Sequence, residues 1–135
     1  MSWNGALQVA QELLGRMGSG AEPAHVAQLF AESLEVEIAG DIGVLPWIGR
    51  KSGRRAVTDL VTDIRATVEP IRCKVHDVLA GKERAVILGW LTSELRHTGK
   101  KVETNFAIIL RVADGEIVGF QMFEDSFAAS QAALA

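Results

Sequence analysis

The clearest alternation of apolar and polar positions runs from Val102 to Asp125, where two strand-like segments flank a short turn. Apolar residues or threonine occupy every second position from Val102 to Val112, which places their side chains on one face of a strand. Asp114 and Gly115 tolerate the positive φ values that a two-residue type I′ turn requires. This stretch therefore predicts a β-hairpin.

Three earlier segments have the three-to-four-residue apolar spacing of amphipathic helices. Their predicted buried stripes are Trp3, Leu7, Ala10, Leu14 and Met17; Val26, Leu29 and Phe30; and Val57, Leu60, Val61, Ile64 and Val68. Ser52 is the predicted cap of the third helix. Residues 34–39 alternate as a strand, and Gly40–Ser52 is rich in helix and strand breakers, so it predicts a loop with an exposed Trp47 as a lid.

Strand patterns fill most of the chain after the third helix. Glu69–Leu79 and Arg84–His97 precede the hairpin, and short turns between them predict a four-stranded antiparallel meander. Helices followed by a meander indicate an α+β fold with helices on one face of a sheet. Such strands curl, and the gap at the open end is the predicted pocket. For Phe127–Ala135, a short helix and a disordered tail remain open alternatives.

Composition narrows the function classes. A chain of 135 residues predicts a single domain over residues 1–135, and a net charge of −3 disfavours nucleic acid and anionic membranes as partners. One cysteine, three scattered histidines and the lack of a long apolar run predict a cytoplasmic protein without a metal site or a membrane span. A small apolar ligand is the expected partner.

The side chains that face the helices in this arrangement form the predicted ligand-contact wall. They include Ile38, Trp47, Trp90, Phe106, Ile108 and Met122, together with Val36 and Leu88. The two candidate catalytic carboxylates are Asp41, at the predicted pocket mouth, and Glu94, which is predicted to lie on the same face of its strand as Trp90. A solvated turn and a polar strand end are their structural alternatives. Glu124 and Asp125 close the last strand in a predicted rim or capping position.

Two further predictions concern surfaces. Cys73 alternates with Ile71 and Val75 and is expected to be a buried apolar residue. The opposite sheet face is expected to expose Leu91, Ala107, Ile109 and Phe123, and this apolar surface predicts a homodimer through the sheet.

Several segments together resemble the SnoaL-like branch of the NTF2-like superfamily, which includes polyketide cyclases and ketosteroid isomerases. The segments are residues 29–32, 34–41, 46–49, 53–57, 110–117 and 123–125. The resemblance implies a cone in which three helices pack in a curved, mainly antiparallel sheet, a homodimer, and no cofactor or metal. The family's acid and tyrosine positions align with residues that cannot exchange a proton, namely Leu14, Ile38, Ile108 and Met122.

Two functions follow from this resemblance. The first is a cofactor-independent cyclase, isomerase or hydrolase that acts on a small apolar carbonyl or polyketide-like substrate. The second is a non-catalytic module of the same fold that binds a small molecule or dimerises. An ionisable side chain directed into the cone distinguishes the enzyme from the binding module.

Overall fold

The computed structural model describes residues 5–40 and 42–134. Within these residues there are four helices: α1 (Ala6–Gly18), α2 (Pro23–Ala27), α3 (Arg54–Thr67) and α4 (Ser126–Ala133). The same part of the chain contains six strands: β1 (Phe30–Ile38), β2 (Gly49–Ser52), β3 (Val68–Ala80), β4 (Arg84–Leu95), β5 (Lys101–Ala113) and β6 (Glu116–Glu124). They form one sheet in the order β2-β1-β6-β5-β4-β3. The predicted α+β class is confirmed.

The meander predicted after the third helix is present. Strands β3 to β6 pair sequentially and antiparallel, whereas β1 lies parallel to β6 and antiparallel to β2. Between β5 and β6, Asp114 and Gly115 have φ values of 52° and 77°. Positive φ at both central residues is the signature of the predicted type I′ turn. The hairpin therefore forms as its sequence indicates.

The two faces of the sheet differ in burial. On the inner face, which packs against α1 and α3, the alternate residues Ala85 and Ile87 of β4 and Leu110 of β5 are fully buried. Full burial of an isoleucine or leucine side chain contributes about 1.5–3 kcal/mol. The opposite face, called the outer face below, carries the residues that alternate with these. Among the described residues, no helix is both long and apolar enough to cross a membrane.

The predicted buried stripe of α1 is confirmed at Ala10, and Leu14 packs partly buried against the core, but the prediction is wrong at Leu7 and Met17. Ala6, Val9, Ala10 and Leu13 are buried, whereas Leu7 and Met17 are 44% and 37% exposed. Both the predicted and the observed stripes satisfy the helical spacing, so periodicity cannot distinguish them. The small side chains of the observed stripe allow the helix to approach the sheet closely. The predicted contact of Trp3 lies outside the described residues.

The predicted loop Gly40–Ser52 contains the short strand β2, which pairs with β1. Trp47 is only 6% exposed and belongs to the core, so its expected role as an exposed lid is wrong. Ser52 ends β2 and does not cap α3. The residue before α3 is Gly53, which has a φ of 92° and no side chain with which to cap the helix. Phe30 begins β1 instead of completing the second helix.

The burial predicted for Cys73 is also wrong, because Cys73 lies exposed on β3. This strand is at the edge of the sheet and is exposed along most of its length. Two register shifts interrupt its pairing with β4. Bulges of this kind on an edge strand oppose pairing with another chain. An alternating pattern therefore identified the strand but not its position in the sheet.

The inner and outer faces of β4 are the reverse of the prediction. Leu91 lies opposite Thr104 and packs against the core, whereas Leu88 lies opposite Ala107 on the outer face. Gly89 shows why its row of β4, with Ile87 and Leu91, faces inward and Leu88 faces outward. A Cβ atom at Gly89 would lie 2.4 Å from Cζ of Phe106, so the ring of Phe106 occupies the inner position that a side chain at residue 89 would need.

Candidate functional site

The last residue of β6 places a carboxyl group on the inner face. Glu124 pairs with Phe106 of β5, and Met122 pairs with Ile108 two residues earlier. Directly opposite residues of antiparallel strands point to the same face. Because Phe106 is buried against the helices, the register directs Glu124 to the inner face, next to apolar side chains.

Burial raises the pKa of the Glu124 carboxyl above its ordinary value, and the negative charge of Asp125 raises it further. Removal from water disfavours the ionised form, and apolar neighbours supply no compensating donor. A raised pKa brings a carboxyl closer to the range in which it both accepts and donates a proton. Glu124 is therefore a candidate acid–base group.

The segment after Glu124 turns sharply into α4. The side chain of Asp125 accepts a hydrogen bond of 2.9 Å from the backbone N–H of Ala128, which caps the helix as predicted for this position. The backbone N–H of Asp125 donates to Oγ1 of Thr104 at 2.9 Å. These two bonds fix the chain on both sides of Asp125, so the backbone that follows Glu124 has little freedom.

Helix α4 resolves the alternative left open for the tail, and it bridges the ends of several strands. At its first residue, Oγ of Ser126 donates to the carbonyl oxygen of Ala39, just beyond β1, at 2.6 Å. At its C-terminal end, Oγ1 of Thr98 donates to the carbonyl of Ala132 at 2.7 Å, and Nζ of Lys100 donates to the carbonyl of Leu134 at 2.8 Å. Helix α4 thus covers the end of the sheet at which Glu124 lies.

One hydroxyl group on the buried side of this helix has no hydrogen-bond partner among the described residues. Ser130 is fully buried, and its Oγ forms no hydrogen bond within that part of the chain. Leaving a buried hydroxyl unpaired costs about 1–3 kcal/mol. Ser130 lies one turn after Ser126, on the same buried side of α4. The end of the sheet near Glu124 is therefore covered by a helix with a spare donor and acceptor.

The two predicted catalytic carboxylates do not form this site. Asp41 lies outside the described residues. Glu94 lies opposite Glu69 of β3 and Lys101 of β5, and it shares the outer-face parity of Leu88. The expectation that Glu94 points into the cone is therefore wrong, for the same reason as for Leu88.

The predicted ligand-contact residues divide into two groups. Ile38 and Phe106 are buried on the inner face, and Ile108 and Met122 are partly buried against the same core. Trp90 lies opposite Lys74 and Asn105 on the outer face, so its predicted place in the pocket wall is wrong. Contact between the inner-face residues and a ligand stays a prediction.

The sequence contained a signal for Glu124. Met122 was predicted to face inward, and the side chain two positions later on the same strand must share that direction. Its place at the end of the strand favoured a rim role because strand ends usually reach solvent. Only the covering helix shows that Glu124 is partly removed from solvent. No group of three or more histidine, cysteine, aspartate or glutamate side chains in residues 5–40 and 42–134 could hold a metal ion.

Comparison with known proteins gives a family match. A family model described as a SnoaL-like domain matches residues 14–120. A search of curated proteins finds no match.

Solved structures share the fold over nearly the whole chain. An NTF2-like protein from Burkholderia xenovorans LB400 is 22% identical, with a TM-score of 0.85 and 99% of each chain covered. A protein with a ketosteroid isomerase-like fold from Catenulispora acidiphila, in complex with trimethylamine, is 15% identical, with a TM-score of 0.73 and coverage of 95% of this chain and 94% of that one. A Mesorhizobium loti protein provisionally named a SnoaL-like polyketide cyclase is 14% identical, with a TM-score of 0.71 and coverage of 86% and 96%. At these identities the likeness concerns the fold alone.

Proposed function

Because the chain belongs to the SnoaL-like domain family, we propose that it is an enzyme that moves a proton on a small, largely apolar carbonyl compound, with Glu124 as its acid–base group. The reaction class is that of a cofactor-independent isomerase or cyclase. Structural neighbours that are provisionally named isomerases or cyclases agree with this class. The observation that carries the proposal is a partly buried carboxyl at the end of the inner face, directly opposite the buried Phe106, with a raised pKa.

The surroundings of Glu124 suit removal of a proton from carbon. A carboxylate in an apolar environment is a stronger base than one in water, because proton uptake relieves the cost of burying its charge. Phe106 and Met122 provide apolar surface beside it. An acidic C–H next to a carbonyl is the matching substrate group, and the proton removed from one carbon can be returned to another or to the oxygen.

Exchange of substrate protons with solvent tests the proposal without knowledge of the natural substrate. A panel of cyclic ketones and 1,3-diketones is incubated in D₂O, and loss of the α-proton signal is followed by NMR. The protein is expected to accelerate exchange for part of the panel, and Glu124→Gln should reduce the rate about 10²–10⁴-fold, the range typical of general acid–base catalysis. Glu103→Gln, on an exposed position of β5, is the control that should retain the rate. Equal rates for Glu124→Gln and the unmodified protein would reject Glu124 as the base.

Native mass spectrometry of the purified protein complements this assay. A co-purifying small molecule that binds unmodified protein and Glu124→Gln equally, without turnover by either, supports the alternative of a binding module.

We further propose that the protein forms a homodimer through the outer face. The apolar residues on that face are Val86, Leu88, Trp90, Ala107, Ile109 and Phe123. The reversal of β4 adds Trp90 to this surface, and Phe123 is 41% exposed. Apolar surface of this kind is typical of subunit contacts. Sedimentation at micromolar concentration is expected to give a dimer, and Phe123→Asp should shift it to monomer. A monomer for the unmodified protein contradicts this proposal.

A further inference from the structure

A polar groove lies on the outer face at the hairpin end of the sheet, on the side opposite to Glu124. Its volume is about 550 Å³, within the usual range for small-molecule sites. Its lining includes the cationic residues Arg50, Lys51, Arg84 and Arg111, the acidic residues Glu35 and Glu37, and the neutral residues Gly119 and Gln121. Four positive charges against two negative ones give a local excess of positive charge on a chain whose net charge is −3.

Two of these cations are direct neighbours. Arg84 of β4 and Arg111 of β5 are Cα partners in the antiparallel pairing, and like charges at directly opposite positions destabilise a sheet. Across the described residues, neither guanidinium forms an ion pair or a side-chain hydrogen bond. The pairing therefore places two arginines on adjacent strands of one groove, and no acid in the described residues neutralises either of them.

The side chain of Arg111 lies across a glycine in the floor of the groove. Gly119 of β6 lies opposite Arg111, and a Cβ atom at Gly119 would be 3.4 Å from Nε of Arg111 and 3.6 Å from its Nη2. The guanidinium of Arg111 thus lies over β6, above a position that has no side chain. A side chain larger than alanine at position 119 would therefore meet the side chain of Arg111.

The acidic residues that line the groove do not neutralise the pair. Glu37 accepts hydrogen bonds from Nε of Arg50 at 2.7 Å and from Nε2 of Gln121 at 2.9 Å. These two bonds, of which the one from Gln121 has the larger effect, lower the pKa of Glu37, so its charge is already compensated. Glu35 lies in the same row as Gly119 and forms no ion pair with either arginine.

We propose that this groove binds a soluble small molecule through a phosphate monoester, with Arg84 and Arg111 on the phosphate group. A guanidinium presents a planar fork of donors that matches pairs of phosphate oxygens, and two such groups lining one groove match the charge of a phosphate dianion. A ligand with a single carboxylate, by contrast, would need only one guanidinium group. The volume exceeds that of a phosphate alone, so the remainder of the molecule extends toward Arg50 and Lys51 on β2.

This site is independent of the proposed reaction, since it lies on the opposite face of the sheet from Glu124. It shares the outer face with the proposed dimer contact and lies at the end where charged residues replace most apolar ones, and Ile109 belongs to both surfaces. The competing explanation for the two arginines is that they contact acidic residues of a second copy. The test therefore measures ligand binding and association state on the same samples.

The experiment uses glucose 6-phosphate and inorganic phosphate as probes, with glucose and sodium chloride at matched ionic strength as controls, in isothermal titration calorimetry. Saturable binding of glucose 6-phosphate is expected, and glucose should show none. The double variant Arg84→Gln/Arg111→Gln should weaken that binding at least tenfold, whereas Arg72→Gln, which removes a charge from the outer face of β3, should not. Because the double variant relieves repulsion, its melting temperature should not fall, which separates lost binding from lost folding.

Absence of saturable binding to both phosphate probes would overturn the proposal. Equal affinities of the double variant and the unmodified protein would also do so. If the double variant changes the sedimentation coefficient while neither phosphate probe binds, the arginines serve contact between copies and the phosphate site is rejected.

Discussion

Replacement of Gly89 by alanine tests how the inner face is packed. The added Cβ would lie 2.4 Å from Cζ of Phe106 and 2.6 Å from the backbone carbonyl oxygen of Lys74. Both distances are far shorter than ordinary contacts. The ring of Phe106 can rotate away, but the carbonyl belongs to the neighbouring strand and moves only if β3 shifts. The substitution must therefore disturb the β3–β4 pairing as well as the position of the ring.

The expected cost follows from two opposing effects. Overpacking of this kind destabilises by about 1–3 kcal/mol. Loss of the glycine's freedom in the unfolded chain returns about 0.4–1 kcal/mol. A net loss of roughly 1–2 kcal/mol should lower the midpoint of urea unfolding by about 1 M, given the usual slopes for small proteins. Intrinsic tryptophan fluorescence and circular dichroism follow the transition at fixed protein concentration.

A double variant identifies the cause of that loss. Phe106→Leu removes the ring that meets the new methyl group, so Gly89→Ala/Phe106→Leu should be more stable than the sum of the single changes predicts, by at least about 0.5 kcal/mol. Gly15→Ala is the control, since nothing lies within 4 Å of its added Cβ, and alanine within α1 should stabilise by about 0.5–1 kcal/mol. Strict additivity of the two changes at residues 89 and 106 would refute the proposed contact.

Three further outcomes are expected. Because the pKa of Glu124 is raised on folding, its effect on stability is most favourable below about pH 4 and is lost as pH rises through the folded-state pKa. Urea unfolding at several pH values should therefore show that Glu124→Gln gains stability relative to the unmodified protein as pH rises. A pH-independent difference between the two proteins would contradict this. Asp125→Ala should cost about 1 kcal/mol through loss of the α4 cap, and Asp125→Asn less, as measured by thermal unfolding. Ser126→Ala should cost about 0.5–1.5 kcal/mol through the lost bond to Ala39; increased hydrogen exchange in α4 would report the loosened helix, and unchanged stability and exchange would show that the bond does not hold it.

The sequence determined the elements whose signals are local. The turn at Asp114 and Gly115 needs positive φ at two adjacent positions. Because few residue types tolerate positive φ, the sequence was sufficient to predict the hairpin. The alternation along β5 was equally informative, since only one of its faces is strongly apolar. Together with short turns, these features specified an antiparallel meander and the α+β class.

Tertiary structure decided which face of β4 is buried and which carboxyl lies inside. Both faces of β4 carry large apolar residues, so alternation cannot choose between them; the choice depends on Phe106, which occupies the space over Gly89 from the neighbouring strand. Glu124 and Glu94 both lie near strand ends, and sequence spacing does not distinguish them. Glu124 is partly buried because it pairs with Phe106 and because helix α4 covers that end of the sheet, and both contacts join residues distant in sequence.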